Sequence, residues 1–409
     1  MTQSHRERAD VIVIGLGAMG SAALYQLARR GVSALGIDQF HPPHTLGSSH
    51  GESRITRLAT GEGAAYVPFA QRSHELWRMI EAESGAPLLT LSGGLIICPE
   101  EKGAHFHGQS DFVNQTAAIA RRFAIDHAVW DAQTVRQRWP QLQMQEREHA
   151  YYEPTGGIVA VEAAIATQLE LARRRGATLR LNERVITYTA DTHGVTVTTA
   201  QGTYQADKLI IATGAWISEL LPSALTPAFH VYRQVIYWFA VDEPARFAAA
   251  NFPFVIWIGD RQEEFFTIFP YAVGDTGGGT VGAKVVTEEY VCTVTPATVD
   301  RTVQPHEIAR MYQEFVSRRV TGVRAECIKS GICLYTNTPD EHFVIDFHPQ
   351  HERVVVASPC SGHGFKHSAA IGETLAQLAL DGQSTLNIDA FSFARLQALT
   401  GLGGGALAQ

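Results

Sequence analysis

The chain has 409 residues, of which 45% are hydrophobic and 18% are charged, a length that fits about two or three domains around a large core. A net charge of −8 gives no basic field for nucleic acid, and no apolar run approaches the length of a membrane span. We expect no signal peptide, because the polar N-terminus leads straight into a predicted strand. We expect a cytoplasmic protein with no nucleic-acid or membrane partner.

The first third of the chain predicts the start of a parallel α/β sheet. Apolar runs and helical periodicity indicate strand 11–15, helix 18–30 and strand 33–38, followed by a polar loop over 39–63. The next predicted elements are helix 67–81, strand 88–98 and a mainly helical region 101–146 that stops at Trp139–Pro140.

The rest of the chain alternates strands and helices around an antiparallel region. Residues 228–292 are rich in aromatic and β-branched residues, which is typical of an antiparallel sheet. Around that region we predict β structure at 153–159, helix 161–175, strands 178–181, 184–190, 194–199 and 207–212, helix 305–318, strand 353–357, helix 367–380 and a mobile tail 401–409.

The turn after the first strand carries a nucleotide-binding pattern. Gly15, Gly17 and Gly20 allow a tight turn, close approach of a pyrophosphate and packing of the helix on the strand, while Asp38 at the end of the next strand can accept a ribose hydroxyl. The alternative is a glycine-rich surface turn. The register of strand, helix and acidic residue favours a dinucleotide, although the pattern alone does not separate NAD from FAD.

The remaining reactive residue types indicate no metal site. The five cysteines lack CxxC spacing, the seventeen histidines are scattered, and disulfides are not expected in this setting.

Three further segments carry a family resemblance. Cys333 lies in Ser330-Gly-Ile-Cys-Leu-Tyr, Ala212-Thr213-Gly214 ends a late strand, and Ser361-Gly-His-Gly-Phe-Lys366 follows the last strand. With the N-terminal motif they resemble the monomeric sarcosine oxidase and N-methyltryptophan oxidase family of flavoproteins, over nearly the whole chain. The resemblance implies FAD, joined through a thioether to Cys333.

The resemblance also implies a division of the chain. We expect an α/β fold with a Rossmann-like FAD-binding domain and a substrate domain on a mostly antiparallel β-sheet. The FAD domain would comprise 1–87, 151–222 and 326–395, the substrate domain 88–150 and 223–325, and the tail 396–409. A monomer is expected.

By the same resemblance, a set of residues contacts the FAD. They are Gly15, Gly17, Gly20, Asp38, Gln39, Ser48, Ser49, His50, Arg54, Val185, Thr213, Gly214, Trp216, Cys333, Leu334, Gly362, His363, Gly364 and Lys366. The alternative for His363 is a packing residue, and for Cys333 a buried, inert thiol. Arg54 is also the positive charge expected to activate Cys333.

Four residues acquire substrate or oxygen roles from the resemblance. Arg57 and Lys366 are expected to hold a substrate carboxylate, Tyr335 to lie on the substrate side, and Lys284 to promote the reaction with oxygen by its positive charge. If the segment after Arg54 turns helically, the two arginines share one face. The alternatives are solvated loop arginines, a solvated helix-start lysine at 366 and an outward-facing strand lysine at 284.

The predicted reaction is oxidation of a secondary α-amino acid, in its neutral-amine form, to an imine with O2 reduced to H2O2. The alternatives are a cyclic imino acid such as pipecolate, proline or piperideine carboxylate, a nicotinamide-dependent dehydrogenase, and a non-catalytic nucleotide-binding module. The chain departs from the family at Glu288, where a histidine is common, and at Thr60, where a tyrosine is common. The stretch 259–280 is also longer than expected.

Overall fold

The computed structural model describes residues 6–100, 111–259, 264–271 and 282–400. Within these ranges the strands are β1 (Arg6–Ile14), β2 (Ala34–Ile37), β3 (Ser53–Thr56), β4 (Leu89–Leu91), β5 (Gly94–Pro99), β6 (Ala128–Asp131), β7 (Glu148–Glu153), β8 (Gly157–Ala160), β9 (Thr178–Arg180), β10 (Val185–Ala190), β11 (Val195–Thr199), β12 (Thr203–Ile211), β13 (His230–Val241), β14 (Phe254–Ile258), β15 (Phe265–Phe269), β16 (Gly282–Val286), β17 (Thr293–Val294), β18 (Val323–Asn337), β19 (Val344–His348) and β20 (His351–Ser358). The α-helices there are α1 (Ala18–Arg29), α2 (Val67–Ser84), α3 (Phe112–Arg122), α4 (Ala132–Arg138), α5 (Val161–Arg174), α6 (Pro305–Arg310), α7 (Ser317–Arg319), α8 (Ser368–Asp381) and α9 (Phe393–Thr400).

The first sheet has the order β10-β11-β12-β1-β2-β9, with β20 beside β12 and β19 beside β20. β1 runs parallel to β2 and β12, and β12 runs parallel to β20. All four residues of β2 are buried, as expected for a parallel strand whose sheet is covered on both faces. Helices α1, α5 and α8 pack on one face, and α9 contributes to the core on the other. This architecture confirms the predicted parallel α/β start.

The second sheet has the order β17-β13-β16-β15-β14-β5-β7-β6, and β18 also pairs with β13. β13 is antiparallel to both β16 and β18, which confirms the antiparallel sheet predicted over 228–292. Apolar side chains cover both faces of this sheet. A small third sheet, β3-β8-β4, lies outside these two.

The mainly helical region predicted over 101–146 is wrong at its centre. Residues 112–122 and 132–138 are helical, but β6 between them pairs with β7. Trp130 stacks on Tyr152 of β7 at 4.5 Å between ring centroids, so cross-strand packing overrides the local helical pattern. Helix α4 ends at Arg138, directly before the Trp139–Pro140 stop that the sequence predicts. Residues 101–110 lie outside the described ranges.

Three of the predicted domain and tail boundaries fall within secondary-structure elements. The boundary at 326 falls inside β18, so Cys333 lies in the second sheet, and β7 spans the boundary at 150. The predicted tail begins inside α9, which continues to Thr400, and Leu396 is buried in the core. Residues 401–409 and most of 259–280 lie outside the described ranges.

Candidate active site

The turn between β1 and α1 is shaped by two glycines. Gly15 has φ +86°, and a Cβ there would lie 2.6 Å from the carbonyl oxygen of Ala212, the residue directly after β12. A Cβ on Gly20 would lie 1.7 Å from the carbonyl oxygen of Gly15, so α1 approaches the turn more closely than any side chain allows. The Ala18 N–H at the start of α1 donates to Ser49 Oγ at 3.3 Å. The helix N-terminus therefore faces the residues of the 39–52 loop.

Asp38 braces this turn from the end of β2. Its Oδ2 accepts from the Leu16 N–H at 2.7 Å and its Oδ1 accepts from the Phe40 N–H at 2.8 Å. Burial raises the pKa of Asp38 above its usual value, while these two backbone hydrogen bonds oppose the rise. The carboxylate is thus held in place at the edge of a large cavity, with lone pairs left for a ligand.

The larger cavity opens to solvent and spans about 1320 Å³ above the N-terminus of α1. Most residues predicted to contact the cofactor line it: Gly15, Gly17, Asp38, Gln39, Ser48, Ser49, Arg54, Val185, Thr213, Gly214, Trp216, Gly362 and Gly364. Gly20 supports the turn from beneath. Thr213 Oγ1 is buried without a partner among the described residues, which a bound polar ligand would remedy. Glycines, exposed backbone and hydroxyl groups on one wall fit the phosphates and ribose of a dinucleotide.

Cys333 lies behind the wall that Ser48 and Arg54 form. Its side chain is 1% exposed, and its Sγ lies 3.4 Å from Arg54 Nη2 and 3.4 Å from the Ser48 carbonyl oxygen. Burial raises the pKa of the thiol above its usual value, while Arg54 and Lys284 act in the opposite direction. The predicted proximity of Arg54 to this cysteine is therefore confirmed.

Lys284 is buried in β16, with only 3% of its surface exposed. Its Nζ donates to the Ser53 carbonyl oxygen and lies 4.1 Å from the ring centroid of Phe269. Burial and Arg54 lower the pKa of Lys284 well below its usual value, while Glu162 and Glu52 favour the charged form. The alternative of an outward-facing strand lysine is wrong, because the side chain turns into the interior.

A smaller cavity of about 530 Å³ adjoins the larger one. Four residues line both: Arg54, Tyr335, Gly362 and Phe365. Tyr335 sits opposite Tyr232 of β13, and burial and Glu288 raise the pKa of Tyr335 well above its usual value. Its phenol is therefore protonated at neutral pH and available as a hydrogen-bond donor.

One end of the smaller cavity holds a three-residue ionic cluster. Arg57 Nη2 donates to both carboxylate oxygens of Glu62 at 2.8 and 2.7 Å, and Lys366 Nζ lies 3.3 Å from Glu62 Oε1. All three side chains are at most 4% exposed. Burial lowers the pKa of Lys366 to about 8, although Glu62 favours its charged form. The alternatives of solvated arginine at 57 and solvated lysine at 366 are wrong.

Arg57 keeps hydrogen-bonding capacity beyond this cluster. Its Nε and Nη1 are buried and have no partner within the described ranges. Its guanidinium also lies over the ring of Phe112, with Cζ 5.4 Å from the centroid. Buried guanidinium N–H groups without acceptors are costly, so the geometry favours a ligand that brings an oxygen to this position.

The predicted helical turn that would align Arg54 with Arg57 is wrong. Residues 53–56 form β3, which pairs with β8, and Arg57 follows directly after it. Pairing to β8 extends the backbone, so neighbouring side chains alternate sides instead of sharing a helix face. Both arginines nonetheless line the smaller cavity.

Besides Gly20 and Cys333, four predicted cofactor contacts do not line the larger cavity: His50, Leu334, His363 and Lys366. His50 Nε2 faces the Ile332 carbonyl oxygen at 2.9 Å, and burial lowers the pKa of His50 to about 4. Leu334 packs in a separate apolar cluster, although its carbonyl oxygen accepts from Ser48 Oγ. His363 stacks on Phe343 at 4.7 Å and lines the smaller cavity with Lys366.

Two further findings concern other ligand classes. No group of three or more His, Cys, Asp or Glu side chains in the described part of the chain is arranged to hold a metal ion. Across the same residues, no helix combines the length and apolar character needed to span a membrane.

Comparison with known proteins places the chain among flavoenzymes. Residues 10–378 match the sequence profile of the family described as FAD dependent oxidoreductase. The chain belongs to this family. It is 40% identical over 393 residues to monomeric sarcosine oxidase of Streptomyces avermitilis, covering 95% of this chain and 98% of that one. It is 32% identical over 402 residues to N-methyl-L-tryptophan oxidase of Yersinia pestis, covering 95% and 99%.

The fold of this FAD dependent oxidoreductase also matches solved structures. NikD, an unusual amino acid oxidase essential for nikkomycin biosynthesis, superposes with a TM-score of 0.80 at 22% identity, over 94% of this chain and 97% of that one. The predicted fold class, the resemblance and FAD as the cofactor are therefore confirmed. The nicotinamide-dependent and non-catalytic alternatives are wrong for a chain of this family.

Sequence reasoning missed Glu62, which completes the ionic cluster of this oxidoreductase. The residue stands between two glycines in Thr60-Gly-Glu-Gly63, a context that reads as a polar turn. Its partners are five residues and about three hundred residues away, so no local spacing links them. The departure at Thr60 has a simple local role here, since its Oγ1 donates to the Gly63 carbonyl oxygen at 3.2 Å.

Proposed function

We propose that this FAD dependent oxidoreductase oxidises a secondary α-amino acid, sarcosine or another N-methyl amino acid, to an imine with O2 reduced to H2O2. The imine is then hydrolysed in water. The names of the relatives at 40% and 32% identity support this reaction class.

The observation that carries the proposal is the unpaired guanidinium edge of Arg57 beside Lys366. These cations lie in the smaller cavity, which is sized for a small molecule. The smaller cavity shares a wall with the larger one. A free carboxylate supplies acceptors for the Arg57 Nε and Nη1 groups and a partner for the Lys366 ammonium. An amino acid bound this way would lie against the shared wall of Arg54 and Tyr335.

The larger cavity is the proposed site of FAD. The Gly15–Gly20 turn and α1 would hold the pyrophosphate, Asp38 a ribose hydroxyl, and the residues around Thr213 and Gly362 the remaining groups. FAD, when bound, supplies the two-electron redox chemistry between the substrate's carbon–nitrogen bond and oxygen. The chain's own residues hold the two molecules, orient them and exclude water.

Lys284 is the proposed oxygen-side residue. Its ammonium is fixed by Ser53 and the face of Phe269, so it offers an oriented positive charge in a region of low dielectric. Such a charge stabilises negative charge that develops on oxygen as it is reduced. The proposal requires Lys284 to be protonated when oxygen is reduced, a form that Glu162 and Glu52 favour and that burial and Arg54 oppose by lowering its pKa.

Cys333 is the proposed attachment point for a covalent flavin. Arg54 lies against its sulfur and also lines the larger cavity, which supports a role for that guanidinium in stabilising the thiolate. We expect acid-precipitated protein to keep its yellow colour, and Cys333→Ser protein to release the flavin into the supernatant. Release of flavin from the wild-type protein would rule out the bond.

The remaining proposals concern the protein's setting. We propose that the protein is a monomer and that it is cytoplasmic. The name of the relative at 40% identity, monomeric sarcosine oxidase, supports the monomer. The five cysteines are free, in keeping with a reducing compartment. Size-exclusion chromatography with light scattering tests the oligomeric state.

The reaction class is tested by a peroxide-release screen of N-methyl and cyclic amino acids. We expect an N-methyl amino acid to release H2O2 and to bleach the flavin absorbance under anaerobic conditions. Activity confined to pipecolate, proline or a piperideine carboxylate would replace the open-chain substrate with a cyclic one. No bleaching by any amino acid would reject the proposed function.

A further inference from the structure

Glu288 brings a second carboxylate into the smaller cavity, near enough to Lys366 to favour the charged form of that lysine. It lies two residues beyond the end of β16 and lines that cavity with Arg57, Tyr335 and Lys366. No role for it follows from the reaction as described so far.

The position of the Glu288 carboxylate is fixed on two sides. Its Oε2 accepts a hydrogen bond from the Tyr290 hydroxyl at 2.7 Å. A Cβ placed on Gly362 would lie 3.2 Å from Glu288 Oε1, 3.1 Å from the Tyr290 hydroxyl and 3.2 Å from the Tyr335 ring. The carboxylate therefore faces the turn that carries Lys366, beside the wall shared with the larger cavity.

The neighbouring phenols keep this group a hydrogen-bond acceptor. Burial, together with the Glu288 charge, raises the pKa of both Tyr290 and Tyr335 well above the usual value. Both hydroxyls stay protonated at neutral pH, and Tyr290 donates to Glu288 rather than competing with it for a proton.

The charges of the cavity match those of a zwitterion. Arg57 and Lys366 offer positive charge to a carboxylate, and Glu288 offers negative charge within the same small cavity. An amino acid carries its nitrogen as an ammonium group at neutral pH, because an aliphatic amine keeps its proton well above pH 7. Oxidation at the carbon–nitrogen bond, however, requires the nitrogen lone pair to be free of a proton.

We propose that Glu288 binds the ammonium group of the substrate and accepts one of its protons. The N–H bond breaks with its electron pair left on nitrogen, the proton forms an O–H bond on the Glu288 carboxylate, and a neutral amine and a carboxylic acid result. Net charge is unchanged. This inference rests on the proposed function, because it requires the substrate carboxylate to sit at Arg57 and Lys366.

The consequence is a preference for substrates with a cationic nitrogen close to the carboxylate. Trimethylglycine and 3,3-dimethylbutanoate isolate this preference, since they have the same shape and carboxylate and differ only in the positive charge on the central atom. Neither compound is consumed during a binding measurement, because the quaternary nitrogen of trimethylglycine has no lone pair and 3,3-dimethylbutanoate has no nitrogen.

The first experiment is calorimetric titration of the holoenzyme with the two compounds. We expect the wild-type protein to bind trimethylglycine at least about tenfold more tightly, as befits a partly desolvated charge pair. In Glu288→Gln protein the two affinities should agree within about twofold. Glu289→Gln is the matched control, because the Glu289 carboxylate pairs with Arg310 at the surface, and it should keep the wild-type preference.

The outcomes separate this inference from the proposed function. Equal binding of both compounds by the wild-type protein, or an unchanged preference in Glu288→Gln, overturns the role of Glu288 and leaves the carboxylate site intact. Binding of neither compound to the wild-type protein overturns the carboxylate site and the Glu288 inference together. Flavin content and melting temperature establish that each variant is folded.

A pH profile tests the proton transfer itself. Without the Glu288 carboxylate the enzyme must capture the small fraction of substrate whose amine is already neutral, and this fraction grows about tenfold per pH unit below the amine pKa. The kcat/KM of Glu288→Gln should therefore rise about tenfold per unit between pH 6 and 7.5, below the pH at which Lys366 loses its charge, while the wild-type value rises less steeply. Parallel profiles would contradict the transfer.

Discussion

The two adjoining cavities are built in different ways. The larger one is lined by glycines, backbone groups and short side chains at the ends of parallel strands, whereas the smaller one has long charged side chains from distant segments around Glu62. In the proposed function the first holds phosphate and ribose, and the turn and carboxylate that would hold them, Gly15–Gly20 and Asp38, are close together in sequence. The second recognises charge, and only the folded chain brings its parts together. Substitutions should therefore act differently in the two cavities.

Arg57→Ala should have the largest effect and should be confined to the smaller cavity. Removing one charged partner from a desolvated pair costs about 2 to 5 kcal/mol, so the substrate half-saturation should rise by roughly 30-fold to more than 1000-fold. Flavin content should stay at the wild-type level. Arg310→Ala, which removes an arginine paired at the surface with Glu289, is the control. Loss of flavin from Arg57→Ala would show that the two cavities are not separable.

Lys284→Met should slow the oxygen-dependent half-reaction by roughly 100-fold to 1000-fold, the usual effect of losing one well-placed electrostatic stabiliser. Anaerobic reduction by the substrate should change much less, because Lys284 does not line the smaller cavity. Stopped-flow absorbance measures the two half-reactions separately. Lys329→Met, at a half-exposed lysine of β18, is the control. Slower reduction with normal reoxidation would move Lys284 to the substrate side.

Binding of a simple carboxylate inhibitor should weaken by about tenfold as the pH rises through about 8. Burial lowers the pKa of Lys366 to about 8, so the positive charge is present below that pH and is lost above it. Fluorescence or absorbance titration from pH 6.5 to 9.5 measures the change. Lys366→Met should flatten the profile, and a step that persists in this variant would assign it to another group.

Glu62→Gln should have the smallest effect and the opposite sign. Glu62 already accepts from Arg57 Nη2 and from Lys366 Nζ, so neutralising it removes a competitor for the ligand carboxylate. We expect carboxylate inhibitors to bind about threefold more tightly, with a lower melting temperature because buried cations lose their partner. Weaker binding would mean that Glu62 orients Arg57 for the ligand instead of competing with it.

The same contrast explains what the sequence predicted. The Gly15–Gly20 turn and Asp38 were predicted in place, because a strand, a turn and a helix with fixed spacing form this site locally. The buried state of Lys284 had a local signal as well, a single lysine among small and apolar residues of a strand.

The sequence could not reveal contacts that depend on the packing of whole elements. Glu62 lies in the turn before α2 and Lys366 in the turn before α8, and the two residues are in contact because the fold packs these turns together. The local sequence of β6 predicts helix, because the segment becomes a strand only through its pairing with β7. The strand at 53–56 was placed in a loop for the same reason, since β8 supplies its hydrogen bonds.

The most direct test of the account compares one substrate with its methyl ester. The ester keeps the oxidisable amine and nearly the same shape but has no carboxylate charge for Arg57 and Lys366. We expect the free N-methyl amino acid to bleach the flavin of the wild-type protein under anaerobic conditions, and the ester to do so only with a kcat/KM lower by about 30-fold or more, equivalent to about 2 kcal/mol. Equal kcat/KM for the acid and the ester would contradict the proposed carboxylate site.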